Sequence, residues 1–355
     1  MHVLMITQKV DSTDDVLGFT VDWISALAEH VEKLDVLTSY IGQYDLPENV
    51  TLYSFGKEKG YSKARRVLSF ERHCIEAVRR DIDAVFAHMI PHYVIAGWPW
   101  FRPAGIPVTL WYAHSSVEWH LQVAHRLAAR VVTATDGSFR LFSDKLSVLG
   151  HGIDTDTFAP DSSITDRQLA LGVGRLDPVK RFETLVAAIE ILENRGISAK
   201  LNIVGAPSGD EAYVRELYET VESQGLTDSV EFVGSVPHDE VVEKYQRAGV
   251  FLNDSSTGSL DKTEVEAMAS GTPVISSNDS YVDMVHDSDL DASRLTFPSG
   301  DPEALADRIE VILKLDDEEY RSLCQRSREV ACDRHDIQAL MSELASVLGE
   351  TCDSD

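Results

Sequence analysis

Short apolar runs rich in β-branched residues alternate, along most of the chain, with stretches whose apolar residues recur every three or four positions. The first run, "HVLMIT" (2–7), reads as a buried strand, and "GFTVDWISALAEHV" (18–31) follows it with helical spacing. "LDVLTSY" (34–40), "DAVFAHM" (83–89), "PVTLWYAH" (107–114), "RVVTAT" (130–135) and "LSVLGHG" (146–152) have the same strand character, and helices are expected over 69–80 and 118–129. A polar link, "DTDTFAPDSSITDRQ" (154–168), precedes a second series. Its strands are "LALGVG" (169–174), "AKLNIVG" (199–205), "SVEFVG" (229–234), "VFLND" (250–254) and "PVISS" (273–277). Amphipathic helices over 181–195, 210–224, 238–247 and 263–270 lie between them. Such alternation implies parallel sheets covered on both faces, hence two doubly wound α/β domains joined near residue 155. Ligands of open sheets bind beyond the carboxyl ends of the strands, which makes the cleft between two such domains the expected site.

The length of 355 residues suits two cores, and 43% hydrophobic residues supply both. No 18-residue apolar run occurs, so no membrane span is expected, and "MHVLMITQKV" turns polar too soon for a signal peptide. Cys74, Cys324, Cys332 and Cys352 are scattered without a C-x-x-C pair. That pattern argues against a zinc site or a disulfide framework and suggests a cytoplasmic protein.

Charge changes the picture more. The net charge is −27, and only 11 of the 32 basic residues are lysine. An acid-rich, lysine-poor surface on an ordinary core suggests a halophilic protein, with an acidic protein of ordinary surroundings as the plainer alternative. Residues 1–155 carry 18 acidic and 15 basic side chains, whereas residues 156–355 carry 41 and 17. In the spared half, "KEKGYSKARRVLSFER" (57–72) sets Lys57, Lys59, Lys63, Arg65, Arg66 and Arg72 against Glu58 and Glu71. Two readings stand: contact with an anionic partner such as a lipid phosphate or membrane surface, or a solvated helix face. "GWPWFRP" (97–103) likewise reads either as part of that contact or as a folded-in aromatic corner.

Two stretches can carry chemistry. "LGVGRLDPVKRFETLVAAI" (171–189) leaves a strand, turns through Gly174 and starts a helix near Arg181. Arg175 and Lys180 stand at the mouth of that turn, where cations beside a helix N-terminus can meet a diphosphate; an ordinary solvated pair is the alternative. In "TGSLDKTEVEAMASGTPVIS" (257–276), a polar loop leads into a helix capped by Asp261 or Thr263 and stopped at Gly271. The amides of Gly258, Ser259 and Leu260 add to an anion-binding mouth. Glu266, one turn in, suits a ribose diol, while Glu264, offset by about 200° on the helix, is expected to be solvated.

In this order, "GHGIDTDTF" (150–158), "VGRLDPVKRFETLVAA" (173–188), "IVGAP" (203–207), "VEFVGSVP" (230–237) and "EAMASGTPVI" (266–275) resemble the retaining glycosyltransferases of family 4. The resemblance implies a GT-B fold, two Rossmann-like domains facing each other across a cleft. It implies an acceptor-binding domain over 1–155, a nucleotide-sugar-binding domain over 156–334, and a C-terminal helix and acidic tail over 335–355. It also implies that Arg175 and Lys180 grip the donor diphosphate and Glu266 holds the nucleotide ribose. Phe232 to Gly234 would flank the base, and His114 would lie near the donor sugar; a structural strand-end histidine is the alternative. One departure stands out: the family's usual glutamate eight positions before Glu266 is Gly258 here. Asp261, Lys262 and the loop amides, with those of Thr263, are the candidates to replace it. The first-strand loop, "TQKVDSTDDVLGF", also lacks the family's double glycine.

The expected reaction, implied by the resemblance, is transfer of a sugar from a nucleotide diphosphate sugar to a glycan or lipid-phosphate acceptor, with retention and no metal or other cofactor. No nucleic acid partner is expected. A non-catalytic sugar-nucleotide-binding subunit and a nucleotide-sugar epimerase of the same fold are the rival readings.

Overall fold

The computed structural model describes residues 1–14, 16–161, 163–238 and 240–352. Asp15 of the first-strand loop, Ser162 of the polar link, Asp239 of the helix expected over 238–247 and the last three residues of the acidic tail lie outside the described residues. The chain divides into two compact units, Met1–Gly152 with Asp336–Asp355, and Ile153–His335.

The first unit holds β1 (His2–Thr7), β2 (Lys33–Thr38), β3 (Val50–Ser54), β4 (Ala84–His88), β5 (Val108–Trp111), β6 (Arg130–Thr133) and β7 (Leu146–Val148). They form one parallel sheet in the order β3-β2-β1-β4-β5-β6-β7. Period-two alternation divides β1 between two cores. Val3 and Met5 pack with Trp23, Ile24 and Leu27 of helix Thr20–Glu29 and with Leu340, Met341 and Leu344 of helix Ile337–Cys352. Leu4 and Ile6 face the other way, toward Phe70, Val94 and Leu121 of helices Lys63–Val78, Pro91–Phe101 and Trp119–Leu127.

Three details depart from the periodicity. Strand β3, "VTLYS", was not expected; it is an edge strand whose only buried residue is Ser54, so no apolar run announces it. Helix Lys63–Val78 begins six residues before the expected 69, capped by Ser62, whose hydroxyl accepts from the Arg65 amide at 3.4 Å. Its first turn holds basic and no acidic residues, the reverse of the usual start signal. "GWPWFRP" begins inside a helix: Pro91–Phe101 runs through Pro99, burying Phe101 and leaving Trp98 and Trp100 part-exposed, and a 3-10 turn over Arg102–Ala104 follows.

The second unit holds β8 (Asp166–Val173), β9 (Lys200–Val204), β10 (Val230–Gly234), β11 (Ala248–Asn253) and β12 (Val274–Ser276), again all parallel, in the order β10-β9-β8-β11-β12. One continuous core underlies it, from Ile153 and Phe158 to Leu323 and Ala331. The polar stretch at its start is tied down rather than free: Arg328 donates to the carbonyls of Thr155 (2.9 Å), Phe158 (2.8 Å) and Ala269. Strand order reverses between β8 and β11, so the loops leaving these two neighbours diverge and open a crevice at their carboxyl ends. Among the described residues no helix is long and apolar enough to cross a membrane.

The exits of β8 and β9 approach too closely for side chains. A Cβ on Gly205 would stand 1.9 Å from the Gly174 carbonyl oxygen, at a φ of +150°. Gly205→Ala is expected to cost roughly 2–4 kcal/mol of stability by forcing the two turns apart. Urea unfolding of the variant beside the parent checks this; a cost under about 0.5 kcal/mol, the range of neutral surface changes, would show that the turns can separate freely.

Candidate functional site

The turn leaving β8 runs Gly174, Arg175, Leu176, Asp177 and then a 3-10 turn, Pro178–Lys180. Asp177 caps that turn by accepting from the Val179 amide at 3.0 Å, and this bond holds its carboxyl below the usual aspartate range. Arg181 then adopts a left-handed backbone, φ +48°, immediately before helix Phe182–Asn194. A non-glycine residue in this region is uncommon, and here its surroundings impose it. The Arg181 guanidinium reaches Ser299 and lies 3.9 Å from the fully buried carboxylate of Asp254. Asp254 in turn accepts from the hydroxyls of Ser277 (2.5 Å) and Ser299 (2.9 Å) and from the Gly300 amide. This buried carboxylate therefore braces the turn that presents Lys180.

The loop leaving β11 supplies the facing wall. Gly258 has φ +68°, a left-handed position that a glutamate adopts only with strain, which explains the glycine there. The Ser259 carbonyl accepts from Asn278 Nδ2 at 2.8 Å and from the Thr257 hydroxyl at 3.1 Å, and Leu260 is buried. Asp261 caps helix Lys262–Ala269 in a capping box with Glu264. The Thr263 hydroxyl, in the first turn, is sheltered from solvent and has no hydrogen-bond partner.

Glu264 is not the solvated glutamate its helical offset suggests; it is 0% exposed. One carboxyl oxygen accepts from Asn253 Nδ2 (2.7 Å) and Ser276 Oγ (2.5 Å), the other from the Asp261 amide (2.9 Å). Burial, with the Asp261 charge beside it, pushes its pKa well above the carboxylate range. Glu266 is also buried, 4% exposed, and accepts from the Tyr245 hydroxyl at 2.9 Å. Burial and the Glu266 carboxylate raise the Tyr245 pKa in turn.

These loops bring Lys180, Asp261, Lys262, Thr263 and Glu266 to one place. Lys180 Nζ lies 2.8 Å from Asp261 Oδ2, and Lys262 Nζ lies 3.6 Å from Glu266 Oε1. Arg175 shares the β8 exit with its side chain exposed to solvent. Phe232 and Gly234 stand at the end of β10, two strands from β8; the Phe232 ring packs 4.2 Å from that of Tyr218, and the Gly234 carbonyl accepts from the Gly205 amide. His114 belongs to the first unit, where its Nδ1 accepts from the Ser116 amide at 3.0 Å. Asn253, Asp254 and Ser276, absent from the sequence-based candidates, hold the site together. Their signal was a polar residue closing a buried apolar strand, "VFLND" and "VIS". Among the described residues no group of three or more His, Cys, Asp or Glu side chains is arranged to hold a metal ion.

Two parallel Rossmann-like sheets with a polar, helix-capped crevice at a switch point define the class, and whole-chain comparison agrees. The fold is that of Anabaena Alr3699/HepE crystallised with UDP and glucose, with a TM-score of 0.77 and 17% identity over 98% of this chain and 99% of that one. It is equally that of sucrose-phosphate synthase from Thermosynechococcus elongatus, with a TM-score of 0.79 and 18% identity over the whole of both chains. This is the GT-B fold. Residues 154–330 match the family of glycosyl transferases group 1, and the second unit belongs to that family. The chain is 30% identical over 214 residues to WcaL of Escherichia coli (strain K12), covering 58% of this chain and 51% of that protein. To the lipopolysaccharide core biosynthesis mannosyltransferase LpsB of Rhizobium meliloti (strain 1021) it is 26% identical over 227 residues, 50% of this chain and 62% of that one. The chain thus spans about half the length of these curated relatives.

The buried Glu264 carboxyl gives the site a pH signature. A raised folded pKa stabilises the fold fully below the unfolded value of 4.5, and that contribution is lost as pH rises to about 8. Glu264→Gln, neutral at every pH, is expected to remove this downward slope. Melting temperatures of both proteins between pH 5 and 9 check it: the wild-type curve should fall relative to the variant's, and parallel curves would mean that Glu264 is ionised throughout.

Proposed function

We propose that the chain is a retaining, metal-independent glycosyltransferase that moves a sugar from a nucleotide diphosphate sugar to an acceptor hydroxyl. The observation that carries this reading is the convergence of Lys180, the N-terminus of helix Lys262–Ala269 and Glu266 at the β8/β11 switch point of a domain of this family. A lysine and a helix N-terminus suit the diphosphate, with Arg175 as an exposed second cation. Glu266 suits the ribose diol; its Oε2 accepts from the Tyr245 hydroxyl and its Oε1 lies beside Lys262. As the bond to the sugar breaks, negative charge develops on the departing diphosphate, and fixed cations and amide dipoles stabilise it without reorganising. The UDP in the Alr3699/HepE structure supports a nucleotide-sugar donor here. His114, Phe232 and Gly234 keep the roles proposed from the family, beside the sugar and the base.

One observation favours a second reading, a sugar-nucleotide-binding subunit without turnover: position 258 holds a left-handed glycine where the family pattern has a sugar-facing glutamate. We also propose that the acidic surface adapts the protein to molar salt. Both readings and the donor base are addressed by thermal-shift measurements with UDP-, GDP- and ADP-sugars at 0.1 and 3 M KCl, using wild type and Lys180→Ala. One donor at a hundred times its Kd should stabilise wild type by about 2.7 kcal/mol and leave the variant unmoved. Salt should raise the melting temperature without ligand. No shift with any donor in folded protein overturns the donor site, and binding without sugar transfer selects the subunit reading.

For the acceptor side we propose contact with an anionic lipid phosphate or membrane surface. The first turns of helix Lys63–Val78 expose Lys63, Arg65, Val67 and Leu68, the last at 71%. Cations at the positive end of a helix dipole are unfavourable alone, and an anionic surface relieves them. Co-sedimentation at 0.1 M salt should be stronger with phosphatidylglycerol than with phosphatidylcholine vesicles, and Lys63→Glu/Arg65→Glu/Leu68→Asp should abolish it. Equal recovery with both lipids, or none, rejects the contact.

A further inference from the structure

Asp261 and Lys262 are neighbours in sequence, and each is ion-paired with a different group of the proposed donor site: Asp261 with Lys180, Lys262 with Glu266. The two members of the first pair differ in how firmly they are held. The Asp261 carboxylate is held from several sides, since Oδ2 also accepts from Asn253 Nδ2 at 3.0 Å, Oδ1 accepts from the Thr257 hydroxyl at 3.4 Å, and its own amide is bound by Glu264. Lys180 reaches it on a flexible four-carbon stem. Both side chains of this pair are largely sheltered, at 15% and 13% exposure, so neither charge is well satisfied by water if the other leaves.

We infer that Asp261 competes with the donor diphosphate for Lys180, and so sets how tightly the nucleoside diphosphate is held and how readily it leaves. The inference rests on Lys180 as the diphosphate ligand. An arriving diphosphate either draws Lys180 away from Asp261 or shares it; in both cases it meets a carboxylate that its hydrogen bonds keep in place. Asp261 is thus a positioning residue for Lys180 in the free protein and a repulsive neighbour for the ligand. It costs affinity and shortens the life of the product complex.

Helix capping can be separated from charge, because Asn and Ser cap as well as Asp. Titration calorimetry with UDP, GDP and ADP would be run on wild type, Asp261→Asn, Asp261→Ser, Lys180→Ala and the double variant Lys180→Ala/Asp261→Asn, each verified as folded by its melt. Removing one nearby like charge should tighten the nucleotide that binds about tenfold in both capping variants. It should also steepen the salt dependence, whereas once Lys180 is gone the Asn substitution relieves only the direct repulsion and should tighten binding by less. A purely structural role for Asp261 predicts no tightening at all. Unchanged or weaker binding in both capping variants, with binding still lost in Lys180→Ala, overturns the competition while leaving the diphosphate site intact. Wild-type affinity in Lys180→Ala overturns the diphosphate assignment itself, and the inference with it.

Discussion

Glu264 accepts three hydrogen bonds where water does not reach, and the geometry of the candidate site hangs from them. Its partners come from the end of β11 (Asn253), the end of β12 (Ser276) and the cap of the intervening helix (the Asp261 amide). A buried carboxyl with so many donors is costly to leave half-satisfied, so strand ends and helix start are held in one arrangement. Asn253 passes the constraint on, donating from the same amide nitrogen to Glu264 and to Asp261. From Asp261 it reaches Lys180 on the neighbouring turn. A second buried carboxylate, Asp254, works from the other side through Ser277, Ser299 and Gly300, bracing the strained Arg181 beside Lys180. Around the crevice, polar groups cut off from water satisfy one another, and that favours this one arrangement.

That same burial decided what could be read from the sequence. Eleven of the twelve described strands are legible as apolar runs, the central ones because parallel sheets are buried on both faces; the edge strands β7 and β10 are legible although largely unburied, and the edge strand β3 is not. Helix Lys63–Val78 hides its start because its first turn is basic. The glycines, lysine and glutamate of the candidate site were legible because each has a chemical reason to be at a strand exit. Glu264 was not. Helical offset assigns a residue to the solvent side only where the helix has a solvent side, and Glu264 through Ser270 are buried in an unbroken run. Asp254 and Asn253 escaped for a related reason: polar residues at a strand end look like the beginning of a loop.

Charge is distributed as unevenly as burial. Residues 156–355 carry 41 of the 59 acidic side chains, yet the proposed diphosphate site lies in that part of the chain. Anion binding there depends on local groups prevailing over the surrounding field. Solvent and salt screen distant surface carboxylates within about 10 Å at 0.1 M and about 3 Å at 1 M, whereas Lys180 and the amides of the helix start act at contact. In molar salt the acidic surface ceases to oppose an anionic ligand, but a carboxylate within hydrogen-bond distance of Lys180 is not screened away.

This distinction bears on the glycine at 258. Returning a glutamate to that position would not by itself rebuild the family's usual site. The backbone there is left-handed, so a side chain with a Cβ either strains the loop or shifts it, and the shift would carry Ser259 and Leu260 with it. Ser259 is anchored to Asn278 and Leu260 is packed in the core, so neither moves cheaply. Three residues on, Asp261 already places a carboxylate against Lys180. A glutamate at 258 would put a second negative charge on the same short loop, beside the anionic ligand proposed for this site. Gly258 and Asp261 are therefore best understood as one arrangement: the loop has no carboxylate at 258, and the one it carries at 261 is committed to Lys180.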